Sequence, residues 1–400
     1  MSTREVLIDI TRLVHRFMKK RLPTGIDRVS LAYIAHFGPT ARAVMRHEGG
    51  KFVFRRTESK ALFDWLLRDD RSASPMPIIY KGFVTGCLAQ RVAGSFLFNT
   101  GHSGLESADY VDMLRQQGVR PVFLIYDLIP LTHPQFCRVG EQAKHMARMR
   151  HAMSVASGVL CISQSTLSDL TQLCRTHGWA MPPHAVALLA SALPHFPATV
   201  RSIDSPYFVF VSTIEPRKNH LLILRVWRQL QLVMGSATPR LLIIGQRGWD
   251  YTEVTDLLGE SGDVQHLVTE ISECTDAELA SHLSHARALV FPSFAEGYGM
   301  PVVEALAHGV PVIASDLAVF REFAGAIPDY IDTNEEARWV QAVQDFSADN
   351  SPRRQDQLRR LQGFVPPAWT GHFQTVDAFL DQLDCNPSNG RDGRRERIAA

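Results

Sequence analysis

Short apolar runs alternate with amphipathic stretches along almost the whole chain, and the alternation predicts a repeating strand–helix order. Val6–Ile10, Ser95–Asn99, Pro121–Tyr126 and Val159–Ile162 read as buried strands, with weaker strands at Ala43–Arg46 and Lys51–Phe54. Leu13–Leu22, Arg28–Phe37 and Ser165–Cys174 carry helical spacing, the last with Ser163 as N-cap. After an irregular, proline-bearing stretch from Leu193 to Pro206 the order resumes. Tyr207–Ser212 and Arg240–Gly245 are strands, and Leu221–Leu232, Thr275–Ser284, Glu335–Phe346 and Pro352–Leu361 are helices. Trp369–Leu383 is a final amphipathic helix, followed by a polar, charged tail expected to be disordered. Such alternation predicts an α/β protein of two Rossmann-like, doubly wound domains facing a cleft, with ligands at the carboxyl ends of the strands. The expected limits are 1–200, 201–364, a last helix over 365–384 and a tail over 385–400.

Composition narrows the partners. Four hundred residues suit two domains, and 45% hydrophobic content supports two sizeable cores. A net charge of +1 gives no global field for nucleic acid. Six cysteines show no metal-like spacing and read as buried thiols of a reducing compartment. No secretory leader opens the sequence and no apolar run reaches the ~20 residues of a membrane span, so a cytoplasmic protein is expected. The helix around Leu13, Val14, Phe17 and Met18 is ringed by Arg12, His15, Arg16, Lys19, Lys20 and Arg21. It reads first as packing its apolar face on a sheet, and second as lying on an anionic membrane surface. The basic stretch Lys144–His151 has the same two readings.

The richest segment runs from Ala288 to Ser315, ALVFPSFAEGYGMPVVEALAHGVPVIAS. A buried strand leads into a glycine-punctuated loop, then a helix with Pro301 in its first turn and Gly309 just past its end, then a second strand. The start of such a helix attracts anions, because unpaired backbone N–H groups and the helix dipole point at it. Glu296 in the loop and Glu304 in the helix add carboxylates able to accept hydrogen bonds from sugar hydroxyls. Phosphate-friendly backbone beside hydroxyl-binding carboxylates suits a nucleotide sugar. A second segment, FVFVSTIEPRKNHLLIL from Phe208 to Leu224, ends a strand in Arg217 and Lys218, either an exposed basic turn or a diphosphate site. A third, IIGQRGWDY, places Gly245 and Arg247 after a strand. No G-x-G-x-x-G follows the first strand, which argues against a NAD-dependent enzyme.

The first two segments resemble the retaining, family 4 glycosyltransferases of the GT-B fold, including their E-x7-E region. The resemblance is strong from Phe208 to Glu322 and weak before residue 120. It implies a donor domain in the C-terminal half and a last helix that crosses back to the N-terminal domain. It implies that Glu304 holds ribose, that Glu296 contacts the transferred sugar, and that Lys218 and a second cation hold the donor diphosphate. Many members carry an arginine where this chain has Ser212, so Arg217 and Arg247 both stand as the second cation. Gly297, Tyr298, Gly299, Met300 and Pro301 would form the donor loop with Gly245. On the acceptor side the resemblance points to Gly25 and Arg28 in LPTGIDRV, which otherwise form a plain helix start. His102 in FNTGHSG and Asp127 in LIYDLIP stand at strand ends, where Asp127 could equally cap a loop. Members often have a histidine at the position of Tyr126, and His133 reads as structural.

The implied reaction is metal-independent transfer of a hexose with retention, with no cofactor beyond the nucleoside diphosphate sugar. The EPRKN and GxxGW variants resemble bacterial mannosyltransferases of surface-polysaccharide assembly. They imply GDP-mannose as donor and a glycan, on a polyprenyl diphosphate carrier, as acceptor, with peripheral inner-membrane contact. The alternatives are a synthase using UDP- or ADP-glucose and a non-catalytic nucleotide-sugar-binding module.

Overall fold

The computed structural model describes residues 4–21, 23–47, 50–68, 73–86, 92–191, 193, 206–260 and 264–385. The expected boundary at 200/201 and the tail from 386 onward lie outside them, as does Cys87. Among the described residues the strands form two sheets. The first contains β1 (Val6–Asp9), β2 (Arg42–His47), β3 (Gly50–Val53), β4 (Phe96–Asn99), β5 (Arg120–Ile125), β6 (Gly158–Cys161) and β7 (His184–Val186), in the order β3-β2-β1-β4-β5-β6-β7. Its pairs are parallel except β2 with β3. The second contains β8 (Tyr207–Val211), β9 (Arg240–Ile244), β10 (Val268–Ile271), β11 (Leu289–Phe291), β12 (Val312–Ser315) and β13 (Asp329–Ile331), in the order β10-β9-β8-β11-β12-β13, all parallel. In both sheets the order turns back beside the first strand, the doubly wound pattern expected from the alternation of elements.

The chain divides into two compact units. Among the described residues, one holds those from 4 to 131, 140–189 and 369–385, and the other holds 132–139 and those from 190 to 368. Central strands are buried on both faces, as parallel sheets demand: every residue of β4, β6 and β12 is buried. In the second unit Phe208 packs edge-on against Trp227 of helix His220–Met234, whose Nε1–H donates to the Pro239 carbonyl at 2.8 Å, and Phe210 packs between His220 and Phe291.

In the first unit, helix Thr11–Met18 buries Leu13, Val14 and Phe17 and stops before Lys20, which is left-handed at φ 52°. Its apolar face thus belongs to the core, as the first of the two readings had it. Helix Gly25–Phe37 starts three residues earlier than its spacing predicts, because Thr24 and Asp27 close a capping box. Asp27 is fully buried, accepts the Arg12 Nε–H at 3.1 Å and forms an ion pair with Arg16, whose Nε lies 2.7 Å from Oδ2. That pairing draws two cations of the basic helix inward.

Helix Trp369–Cys385 belongs to the first unit and buries Phe373, Val376, Phe379, Leu380 and Leu383. His372 bridges the Leu188 carbonyl and the Tyr33 hydroxyl, each at 3.1 Å, and burial holds it neutral with a pKa near 4. The helix lies so close to β6 that a Cβ on Gly158 would sit 2.7 Å from the Phe379 ring and 2.8 Å from Leu383. Gly158→Val is therefore expected to cost about 1–3 kcal/mol, and limited proteolysis should clip the final helix sooner. Wild-type stability and protease resistance would show that this close contact is not required.

Candidate active site

Ligands of doubly wound sheets bind outside the carboxyl ends of the strands, where the strand order reverses. In the second unit that point lies between β8 and β11, and the loops leaving these two strands carry the chemistry. The β8 loop passes through Ser212 and a 3-10 turn, Pro216–Lys218, to Asn219. Asn219 is left-handed at φ 61°, a conformation asparagine tolerates, and its amide donates to the Pro292 carbonyl at 3.3 Å. The β11 loop is bound to it, with the Phe294 N–H donating to the Arg217 carbonyl at 2.9 Å.

These two bonds, one from the Asn219 side chain and one between backbones, bring Lys218 and Glu296, 78 positions apart, into contact. Lys218 Nζ lies 2.5 Å from Glu296 Oε1, and Arg217 Nη1 lies 2.9 Å from Oε2. Arg217 also donates to the Ala295 carbonyl at 2.6 Å and to Glu215 Oε1 at 2.9 Å. Lys218 sits 5.1 Å from the Phe291 ring centre, within cation–π range. The Glu296, Lys218 and Arg217 side chains are 8%, 11% and 18% exposed.

Burial alone would push the Glu296 carboxyl up, but Arg217 and Lys218 outweigh it and hold the pKa down at about 2. Burial, reinforced by Arg217, pulls the Lys218 pKa below its ordinary value despite the attraction of Glu296. The cluster is therefore a carboxylate and two cations held nearly dry. Two cationic donors that share one carboxylate can exchange it for a phosphate oxygen, which accepts the same hydrogen bonds.

Beyond Glu296 the loop turns into helix Met300–Ala307 through Gly299, at φ 105°. A Cβ there would sit 2.4 Å from the Phe320 ring, so conformation and space both require glycine. The Tyr298 ring is buried 5.1 Å from Phe323, so this position offers a ligand its main chain rather than its hydroxyl-bearing ring face. Gly297, Met300 and Pro301 are half-buried around the helix start, and Glu304, one turn on, is buried.

Ser212, where an arginine was the family expectation, is buried against His220, with Oγ 3.2 Å from Nε2. His220 is kept neutral, its pKa lowered to about 3 by burial and then by Lys218. A Cβ on Gly245 would sit 1.9 Å from the Ser212 carbonyl oxygen, so the two turns pack backbone to backbone. Arg247 is held elsewhere, in a two-pronged pair with Glu270 at 2.9 and 2.8 Å. Of the two candidate second cations, Arg217 is the one that shares Glu296 with Lys218.

The remaining candidates lie in the first unit. Gly25 opens its helix with no neighbour within 4 Å of an added Cβ, and Arg28 is half-buried in the same first turn. His102 is left-handed at φ 55°, and its Nε2–H is directed to the Leu124 carbonyl at 2.5 Å. Burial, the dominant influence, lowers its pKa to about 4. Asp127 Oδ1 accepts the Ile129 N–H at 3.0 Å, closing an Asx turn. Among the described residues no group of three or more His, Cys, Asp or Glu is arranged to hold a metal ion, and no helix is long and apolar enough to cross a membrane. Sequence reasoning missed Glu215 and Asn219, although asparagine directly after a basic 3-10 turn and before an apolar helix is a signal for a left-handed link.

Residues 195–359 match the family model described as glycosyl transferases group 1. The chain is 25% identical over 369 residues to a serotype-specific mannosyltransferase WbdA of Escherichia coli, covering 86% of this chain and 43% of that one. It is 26% identical over 240 residues to the O-antigen chain mannosyltransferase B of Escherichia coli, covering 57% and 62%. The chain spans less than half the length of the WbdA relatives it matches. In fold it is similar to Anabaena HepE, solved in complex with UDP and glucose, with a TM-score of 0.67 at 13% identity over 95% of this chain and 100% of that one.

Removing the carboxylate tests the electrostatic account of the cluster. Glu296→Gln strands two nearly buried cations, and an unfolding free energy lower by about 3–5 kcal/mol is expected in urea, read from tryptophan fluorescence. Adding Lys218→Met should recover much of the loss. Because the Glu296 pKa is lowered, its stabilisation is complete above about pH 4.5 and fades as pH falls toward about 2. The Gln variant should lack that component of acid sensitivity. Equal stability of Glu296→Gln and wild type at neutral pH would contradict this account.

Proposed function

We propose that this chain, whose residues 195–359 are a group 1 glycosyltransferase domain on a GT-B fold, moves a hexose from a nucleoside diphosphate sugar to a glycan hydroxyl with retention at the anomeric carbon. The observation that carries this reading is the Arg217–Glu296–Lys218 cluster between the carboxyl ends of β8 and β11. The donor we favour is GDP-mannose and the acceptor a growing, lipid-linked surface glycan. Two relatives named as mannosyltransferases support that choice, whereas the UDP and glucose in HepE support a UDP-glucose donor as the second reading.

In this reading the diphosphate takes over the hydrogen bonds of Lys218 and Arg217 and releases Glu296 toward the hydroxyls of the sugar. Glu304 accepts the ribose hydroxyls, and the N–H groups at the start of helix Met300–Ala307 face the phosphates. The bond from the anomeric carbon to the phosphate oxygen breaks with its electrons leaving on that oxygen. The acceptor oxygen bonds to the same face of the sugar, and its proton passes to the departing diphosphate. Lys218 and Arg217 offset the charge that develops there, so a divalent ion is not needed. On the acceptor side Gly25, Arg28, His102 and Asp127 remain the candidates. Peripheral membrane contact follows from the lipid carrier, and the buried apolar face of helix Thr11–Met18 directs that contact to another surface.

The test is a panel of GDP-mannose, UDP-glucose and ADP-glucose with lipid extract as acceptor, read by mass spectrometry of the product. Transfer from GDP-mannose is expected, persisting in excess EDTA. Lys218→Ala and Glu304→Ala should each lower turnover by roughly a hundredfold with the fold intact. Wild-type rates in both variants would sink the site, loss in EDTA restored by a divalent ion would sink metal independence, and donor binding without transfer would favour a binding module.

A further inference from the structure

Eight residues of the N-terminal half, Thr132–Val139, belong to the unit that carries the Glu296 cluster, while the chain on either side belongs to the other unit. Most of the excursion is exposed, Val139 fully so. Its ordered centre is a 3-10 turn, Pro134–Phe136, closed by the Phe136 N–H on the His133 carbonyl at 3.1 Å and the Cys137 N–H on the Pro134 carbonyl at 3.0 Å. The turn presents Phe136, which stacks on Phe294 with ring centres 4.7 Å apart and planes within 4°. The His133 ring stacks on Phe136 at 6.4 Å, and its Nδ1 shares a hydrogen bond with the Thr132 hydroxyl at 2.9 Å.

Phe294 lies two residues before Glu296, and its N–H holds the Arg217 carbonyl. The guanidinium of Arg217 in turn grips the Ala295 carbonyl and the Glu296 carboxylate. From Phe294 onward the loop includes Gly297 and Gly299, which restrain the backbone little. A flat ring fixed on a proline-stiffened turn adds a restraint from outside the loop at its first residues. We propose that Phe136 is a positioning residue for Glu296: through Phe294 it sets the place of the carboxylate during transfer, without touching substrate. The inference rests on the glycosyltransferase reading above.

The experiment measures kcat, donor KM and affinity for the bare nucleoside diphosphate in Phe136→Ala, Phe136→Leu and Phe136→Tyr, alone and combined with Glu296→Gln. Phe136→Ala and Phe136→Leu should lower kcat roughly ten- to a hundredfold, with nucleoside diphosphate affinity unchanged within twofold. Phe136→Tyr, which keeps the flat ring, should stay near wild type. With Gln at position 296, either substitution should lower the residual kcat by less than twofold, because the group being positioned is already gone. The proposal is overturned if Phe136→Leu turns over like wild type, or if the losses multiply with that of Glu296→Gln. Should Phe136→Ala not fold, the Leu and Tyr pair decides alone. If Glu296→Gln by itself leaves turnover unchanged, the site reading fails first, an outcome distinct from failure of the Phe136 proposal.

Discussion

Glu296 lies between Lys218 and Arg217 where water hardly reaches, and the rest of the second unit is arranged around that fact. An ammonium or guanidinium removed from water is costly unless an anion stands beside it. One carboxylate serves both cations, one oxygen to each. Without Glu296 the cations would repel each other and draw in solvent. Without the cations the carboxylate would titrate upward in its buried setting. The cluster is thus a stable resting arrangement of one carboxylate between two cations.

Backbone geometry makes this arrangement possible. The reversal of strand order between β8 and β11 leaves the ends of two neighbouring strands free to send loops toward each other. Asn219 takes the left-handed turn that starts helix His220–Met234, and Gly299 takes the one that starts helix Met300–Ala307. Gly245 lets its turn lie directly on the Ser212 carbonyl. Arginine at position 212 would have to displace His220, which fills the space beside the serine as a buried neutral ring. Arg217 and Lys218 reach the carboxylate from the turn beyond.

Much of this was legible in the sequence because it depends on local signals. The glycines and proline around Glu296, and the apolar runs of β8, β11 and β12, fix turns and buried strands at short range. What stayed hidden depends on pairings distant along the chain. Nothing near Lys218 says that its partner is Glu296, and nothing near Phe136 marks it as packing on Phe294. Helix Arg56–Leu67 went unread because its polar first turn gives a weak helical pattern, and β13 is a three-residue strand with an aspartate and a tyrosine. The apolar face of the basic helix was legible from its spacing, but nothing near Arg12 and Arg16 names buried Asp27, fifteen and eleven residues on, as the anion that collects them.

If Glu296 occupies the place of a diphosphate, anion and carboxylate compete for the same two cations. Calorimetric titration of wild type and Glu296→Gln with GDP and with UDP tests that competition most directly. The account predicts that the Gln variant binds the nucleoside diphosphate it recognises more tightly than wild type does, with the difference shrinking as salt is raised, while sugar transfer falls. Weaker binding in the Gln variant, in step with the loss of transfer, would contradict it.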